Sequence, residues 1–156
     1  ASTSKLIAND ALDLAVFITD NLGLDSTETS LKLYSEADLL VFQNRFDEAF
    51  TKLDSLVAQF PDHSLQDDVF YMKAQIYKKQ QDWDSAVAMY EEIIEKHADE
   101  IRADNALFEL ADMQENQLNN PERAKELYEK IFIDFSNSTF AVEARKRFRR
   151  LRGDNI

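Results

Sequence analysis

The sequence predicts an all-α protein, a right-handed α-solenoid of antiparallel helix hairpins with about eight helices. Three observations predict it. The 156 residues hold only 2 Gly and 2 Pro, too few for the tight turns of a β-sandwich or barrel. Apolar residues recur at i, i+4 and i+7, which marks one face of a helix. Paired alanines return every 37 or 38 residues, so each period holds one helix hairpin.

Composition narrows the chemistry before any element is placed. Hydrophobic residues make up 44%, enough for a packed core and too many for wholesale disorder. The absence of Cys removes disulfides, thiolate metal sites and cysteine nucleophiles, and leaves the compartment open. Gly23 and Gly153 are too far apart to form a phosphate-cradling loop. His63 and His97 stand singly in loop-like stretches, with no second ligand at metal spacing on one face. Asp67 and Asp68 are adjacent, so their carboxylates are expected to diverge around a helix. No serine sits in a Gly-x-Ser-x-Gly setting. No catalytic, cofactor-binding or metal-ligating residue is therefore expected, and no cofactor.

Charge is unevenly placed. Residues 1–138 carry 12 basic and 28 acidic side chains, whereas residues 139–156 carry 6 basic and 2 acidic ones. So acidic a body repels a phosphate backbone, and nucleic acid is not an expected partner. No apolar run approaches the ~18 residues that cross a bilayer. The start, Ala1-Ser2-Thr3-Ser4, shows no initiator Met, basic n-region or apolar h-region, and reads as that of a cut or processed chain.

The elements follow in order. Residues 1–27 hold a helix at 5–21, whose Ala8-Asn9-Asp10-Ala11-Leu12 is similar to Ala103-Asp104-Asn105-Ala106-Leu107 and reads as the remnant of a preceding repeat. Repeat 1, residues 28–61, pairs helices at 28–43 and 46–60. Repeat 2, residues 65–98, pairs helices at 65–80 and 83–97. Repeat 3, residues 102–136, pairs helices at 101–117 and 121–134. A capping helix at 138–151 closes the chain within residues 138–152. Ser26 or Thr27, Ser64 and Ser138 are the N-cap candidates. Short polar turns join the paired helices at Gln43-Asn44-Arg45, Gln80-Gln81-Asp82 and Leu118-Asn119-Asn120-Pro121. Pro121 suits a first helical turn, where its missing N–H costs nothing.

The spacing within each hairpin sets its register. The first helices carry Ala37, Ala74 and Ala111, each three residues after an aromatic: Tyr34, Tyr71 and Phe108. The second helices carry Ala49, Ala86 and Ala124, followed four residues later by Leu53, Tyr90 and Tyr128. Small residues on both partners let two helix axes approach closely.

These residues resemble the tetratricopeptide repeat (TPR) family. Its motif places small residues at the positions of Ala37 and Ala49, an aromatic or Leu at that of Leu53, and Pro at that of Pro61. Repeats 2 and 3 match at Ala74, Ala86 and Tyr90 and at Ala111, Ala124 and Tyr128, but have Ala98 and Ser136 where the Pro falls. The period exceeds the family's usual one and is similar to longer repeats of bacterial envelope proteins, of the outer-membrane assembly lipoprotein and Tol-Pal coordinator type. The resemblance implies a non-catalytic protein–protein interaction scaffold and a place in the bacterial cell envelope, with the cytoplasm left open.

In such a solenoid the first helices line a concave groove. Tyr34, Tyr71 and Phe108 would form a stripe along it, with Asp38 and Phe42, Asp68, Gln75 and Lys78, and Asn105, Asp112 and Glu115 beside them. Aromatics among polar side chains suit an extended protein or peptide segment. The same rings also suit packing within the core, and the two roles are not exclusive. Carboxylate-clamp TPRs place Lys and Asn where this chain has Tyr71 or Phe108, so that clamp is not expected. Phe46 and Trp83, at matching turn positions, read as interhelix packing. On the last helix Phe140, Ala144, Phe148 and Leu151 form an apolar stripe surrounded by cations, which reads as a solenoid cap. Two further readings are a structural segment of a larger envelope assembly, contacting through its ends or convex face, and an adaptor docking its basic helix on anionic lipid. Weak self-association through the N-terminal face, residues 1–25, is also expected.

Overall fold

The structure, a computed structural model, describes residues 28–98 and 102–154. These residues form seven helices and no strand: α1 (Glu28–Phe42), α2 (Phe46–Gln59), α3 (Gln66–Lys79), α4 (Trp83–Lys96), α5 (Ala103–Asn116), α6 (Pro121–Asp134) and α7 (Ala141–Arg152). The helix expected at 5–21, its likeness to a preceding repeat and the self-association surface lie outside the described residues. The chain divides into two compact units, residues 1–66 and 67–156.

In the first unit α1 packs against α2. Tyr34, Ala37 and Val41 from α1 and Ala49, Leu53 and Leu56 from α2 are buried. In the second unit one apolar cluster runs from Ala74 through Ala86, Tyr90 and Ile93, then Ala106, Leu110 and Ala111, to Ala124, Tyr128, Ile131 and Ala144. All six motif alanines, Ala37, Ala49, Ala74, Ala86, Ala111 and Ala124, have no exposed surface. Trp83, Phe108, Phe140, Phe148 and Leu151 pack around that cluster half-buried. Pro61 stands two residues past the end of α2, just after the C-cap Phe60, where a helix cannot continue through it.

The hairpin turns are tight because one residue ends one helix and opens the next. After α1 the Asn44 N–H donates to the Val41 carbonyl (3.0 Å) and the Arg45 N–H to the Leu40 carbonyl (2.9 Å). After α3 the Gln81 N–H donates to Lys78 (3.0 Å) and the Asp82 N–H to Tyr77 (2.9 Å). This pair of bonds is the Schellman closure, and it needs a left-handed residue at its centre. Glycine would serve best, but Asn44 (φ 58°) and Gln81 (φ 60°) take the position. Asp82 then starts α4 by accepting the Ser85 N–H at 3.2 Å. The third turn carries one more residue. There Leu118 N–H reaches Met113, Asn120 N–H reaches Gln114 (2.7 Å), and Asn119 is left-handed at φ 50°. Asn120 caps α6 through the Arg123 N–H, 3.3 Å, with Pro121 in the first turn. Asp82 and Asn120 are caps outside the serine and threonine candidates, because each lies within a turn and closes one helix while opening the next.

A polar latch recurs seven residues before each first-helix alanine, at Ser30, Asp67 and Asp104. The buried Ser30 hydroxyl lies 2.6 Å from His63 Nε2. His63 Nδ1 accepts the Leu65 N–H at 3.0 Å, so the imidazole proton sits on Nε2 and donates to Ser30. Asp67 Oδ2 accepts the Arg102 N–H at 3.4 Å, and Asp104 Oδ2 accepts from the Ser138 hydroxyl at 2.6 Å. Each latch joins a first helix to the loop 33 to 35 residues downstream, and so holds the end of one hairpin to its start. His63 is therefore a loop histidine, as its sequence setting implies, and a buried one.

One expectation is corrected here. Ser138 does not cap the last helix: α7 begins at Ala141, and the Ser138 Oγ instead accepts the Phe140 N–H (3.1 Å) while donating to Asp104. Asp67 and Asp68 are engaged by one residue of the following loop. Both are buried and both meet Arg102, Asp67 at its main chain and Asp68 at its guanidinium, 2.7 Å away.

Two substitutions test this packing. Ala86→Leu should destabilise the fold by about 1–3 kcal/mol through overpacking. Thermal unfolding followed by circular dichroism reads this as a lower Tm; an unchanged Tm would mean that the α3–α4 register is wrong. Gln81→Gly should stabilise it by about 0.5–1 kcal/mol, since glycine takes the left-handed conformation without Cβ strain. Urea denaturation should show a raised midpoint at the same slope.

Candidate functional site

The expected groove residues divide between the two units. Tyr34, Asp38 and Phe42 belong to the first. Tyr34 is buried at 8% exposure, Asp38 is exposed, and Phe42 is 84% exposed. The remaining eight belong to the second unit, on α3 and α5.

Tyr71 and Phe108 occupy equivalent places there and are built alike. Each is half-buried, and each packs edge-on against the tyrosine of its own hairpin's second helix: Tyr71 on Tyr90 and Phe108 on Tyr128, both with centroids 5.9 Å apart. Each carries a guanidinium on its face, Arg102 at 5.0 Å over Tyr71 and Arg147 at 5.2 Å over Phe108. Phe108 is also stacked on Phe140, 4.7 Å away. Two rings separated by one repeat are thus held rigidly, each with part of its surface open.

The polar residues around them are already engaged. Gln75 donates to the Tyr90 hydroxyl at 2.7 Å. Lys78 pairs with Glu109. The Asn105 N–H donates to Asp104 Oδ1 at 2.8 Å. Asp112 accepts from Asn116 (3.0 Å) and pairs with Arg147. Glu115 accepts the Tyr128 hydroxyl (3.0 Å) and pairs with Arg150. Asp68, tied to Arg102, is only 7% exposed.

Sequence reading missed the partners in these pairs: Arg102, Glu109, Arg147 and Arg150. A signal was present in the register. Lys78 and Glu109 lie 31 residues apart on successive first helices. One repeat on, the same two places hold Glu115 and Arg147, 3.9 Å apart. The ion pair recurs with its charges exchanged, so a helix shifted by one repeat would set like charges together.

Electrostatics follow from this burial. Burial, with the nearby Glu109 carboxylate, pushes the Tyr71 phenol up to about 12. Burial pushes Tyr90 and Tyr128 up further, with Glu109 adding to it at Tyr90. Burial works against the Arg147 charge, but hydrogen bonds to Asp112, Tyr128 and Glu143 outweigh it and hold the guanidinium protonated. The Arg147 hydrogen bond also keeps the Glu143 carboxyl below its ordinary range.

Two family models, each described as tetratricopeptide repeat, match the chain at residues 40–110 and 105–138, together more than half of it. The chain belongs to the tetratricopeptide repeat family. No curated protein and no solved structure matches it. TPR repeats mediate protein–protein interaction, and TPR proteins are typically non-catalytic scaffolds. Among the described residues no group of three or more His, Cys, Asp or Glu could hold a metal ion, and no helix is long and apolar enough to cross a membrane.

The raised tyrosines predict how this TPR chain responds to alkali. An unfolded tyrosine loses its proton near pH 10, whereas folded Tyr71 holds it to about 12 and Tyr90 and Tyr128 hold theirs beyond. Above pH 10 the unfolded state therefore binds fewer protons than the native one. Stability is fully present below pH 10 and falls between pH 10 and 12. Tyrosinate absorbance near 295 nm should rise together with the loss of helical circular dichroism. A phenolate signal from all five tyrosines near pH 10, with helicity intact, would refute the buried geometry.

Proposed function

We propose that this TPR chain holds an extended protein segment on the surface made by α3 and α5, with Tyr71 and Phe108 as its two apolar anchors. The observation that carries this reading is their matched setting: two rings one repeat apart, each fixed by a tyrosine behind it and a guanidinium on its face. Rings already immobilised lose little rotamer freedom when a ligand covers them. Salt-bridged neighbours of both signs frame the anchors without a net charge preference, so recognition rests on the rings and on the Asn105 and Gln75 amides.

The test is capture of a partner from a native extract by the wild-type chain, Tyr71→Ser, Phe108→Ser and Asn105→Lys. Asn105→Lys adds bulk on the same surface without opening the core. The expected outcome is loss of the captured protein in all three, with helicity kept at least in Asn105→Lys. Undiminished capture by a folded Asn105→Lys chain would reject the groove.

A second reading is favoured by one observation in the first unit. Leu39 is 56% exposed, whereas Ile76 and Met113, at its place in the next two repeats, have no exposed surface. It borders a cleft of about 420 Å³ with Leu40, Gln43 and the Glu36–Lys52 ion pair. Such an exposed apolar side chain beside a cleft supports a structural segment of a larger envelope assembly that contacts a neighbour through this face. In that case Leu39→Ser should abolish co-purification with the assembly and leave the Tm within a degree or so of wild type.

A further inference from the structure

The outward face of α7 departs from the repeat pattern in one respect. In α3 the positions Phe70, Ala74 and Tyr77, and in α5 the positions Leu107, Ala111 and Gln114, are buried or half-buried within their hairpins. The same places in α7 hold Arg145, Arg149 and Arg152, all exposed. The face that elsewhere meets a second helix is here cationic. No described helix covers it, and Lys146 and the 82% exposed Val142 adjoin it.

These cations are only partly used. Arg149 and Arg152 share the single carboxylate of Asp154. Arg145 lies over the Phe132 ring at 5.3 Å, and neither it nor Lys146 has an ion pair among the described residues. Arg147 and Arg150, by contrast, turn the other way, to Asp112 and Glu115. The helix thus separates one set of cations that fasten it to α5 from a second set that faces outward.

We propose that this face docks an acidic amphipathic helix of a partner protein, with carboxylates at i, i+4 and i+7 against Arg145, Arg149 and Arg152 and an apolar side chain against Val142. Charge complementarity and shape choose this occupant. The row from residue 142 to 152 is three turns of helix, about 15 Å, and in each preceding repeat the equivalent face is covered within a hairpin. A lipid surface fits less well. Its binding needs an apolar face free to insert, but Phe140, Ala144, Phe148 and Leu151 are committed to the core, which leaves Val142 alone. A second copy of the chain also fits less well, since two molecules of formal charge −12 repel. This inference is independent of the groove on α3 and α5.

The test uses the whole chain and a synthetic helical peptide of about four turns that carries Leu, Glu, Glu and Glu in that spacing. A peptide of the same composition with scrambled order is the control. Isothermal titration should show binding of the patterned peptide that weakens as salt rises, and at least about tenfold weaker binding to Arg145→Glu/Arg149→Glu. A peptide with Lys in place of Glu should bind that variant better than the wild type. Arg145→Gln/Arg149→Gln, which keeps most of the stem over Phe132, should lose the same affinity while its helical signal is unchanged. Four outcomes would each overturn the proposal: no binding of the patterned peptide; equal binding of the scrambled one; salt-sensitive sedimentation with phosphatidylserine vesicles that the charge reversal abolishes while the peptide fails to bind; or self-association in ultracentrifugation that the charge reversal abolishes.

Discussion

The close approach of paired helices at buried alanines is the constraint on which the rest depends. A methyl group at Ala74 and Ala86, or at Ala111 and Ala124, is the largest side chain those contacts admit, because interiors pack to near-crystalline density. Once two axes lie that close, the turn between them must be only a few residues long. The left-handed Asn44, Gln81 and Asn119 are the consequence, strained residues placed where the chain has no room for a longer path. The same closeness brings the second-helix tyrosines behind the first-helix aromatics, which is how Tyr71 and Phe108 acquire a rigid backing.

Packing alone would let equivalent repeats slide past one another, since alanine contacts are nearly interchangeable. Two sets of polar contacts oppose that. The latches at Ser30, Asp67 and Asp104 tie each first helix to the loop that closes its own hairpin. The ion pairs between successive first helices exchange sign, from Lys78–Glu109 to Glu115–Arg147. Single half-exposed pairs contribute little to stability. Their value lies in the wrong arrangements they penalise, and they work together with cation–π contacts that no shifted register would reproduce.

This arrangement gives α7 two roles. Its inner residues complete the core of the second unit, and Arg147 and Arg150 neutralise an acidic edge of α5. The basic stretch that stands out against an acidic chain is thus half structural. Its remaining cations stand exposed at positions where α3 and α5 carry buried or half-buried side chains.

Much of the fold was legible in the chain itself. Ala37, Ala74 and Ala111, with Ala49, Ala86 and Ala124, report helix pairing by spacing, since only a helical period places i, i+4 and i+7 together. The described helices begin and end within a few residues of those the period implies, and the extra residue before Pro121 reads directly as a longer turn. Tertiary structure decided what spacing cannot express. His63 sits in a loop by sequence and is buried because Ser30, 33 residues earlier, offers it a partner. Asp112 and Glu115 look like free groove carboxylates until Arg147 and Arg150 arrive from 35 residues downstream. Periodicity is a local property, carried by neighbours along one helix. The pairing of a charge with its partner depends on how separate helices are brought together in space, and that exists only once the chain has folded.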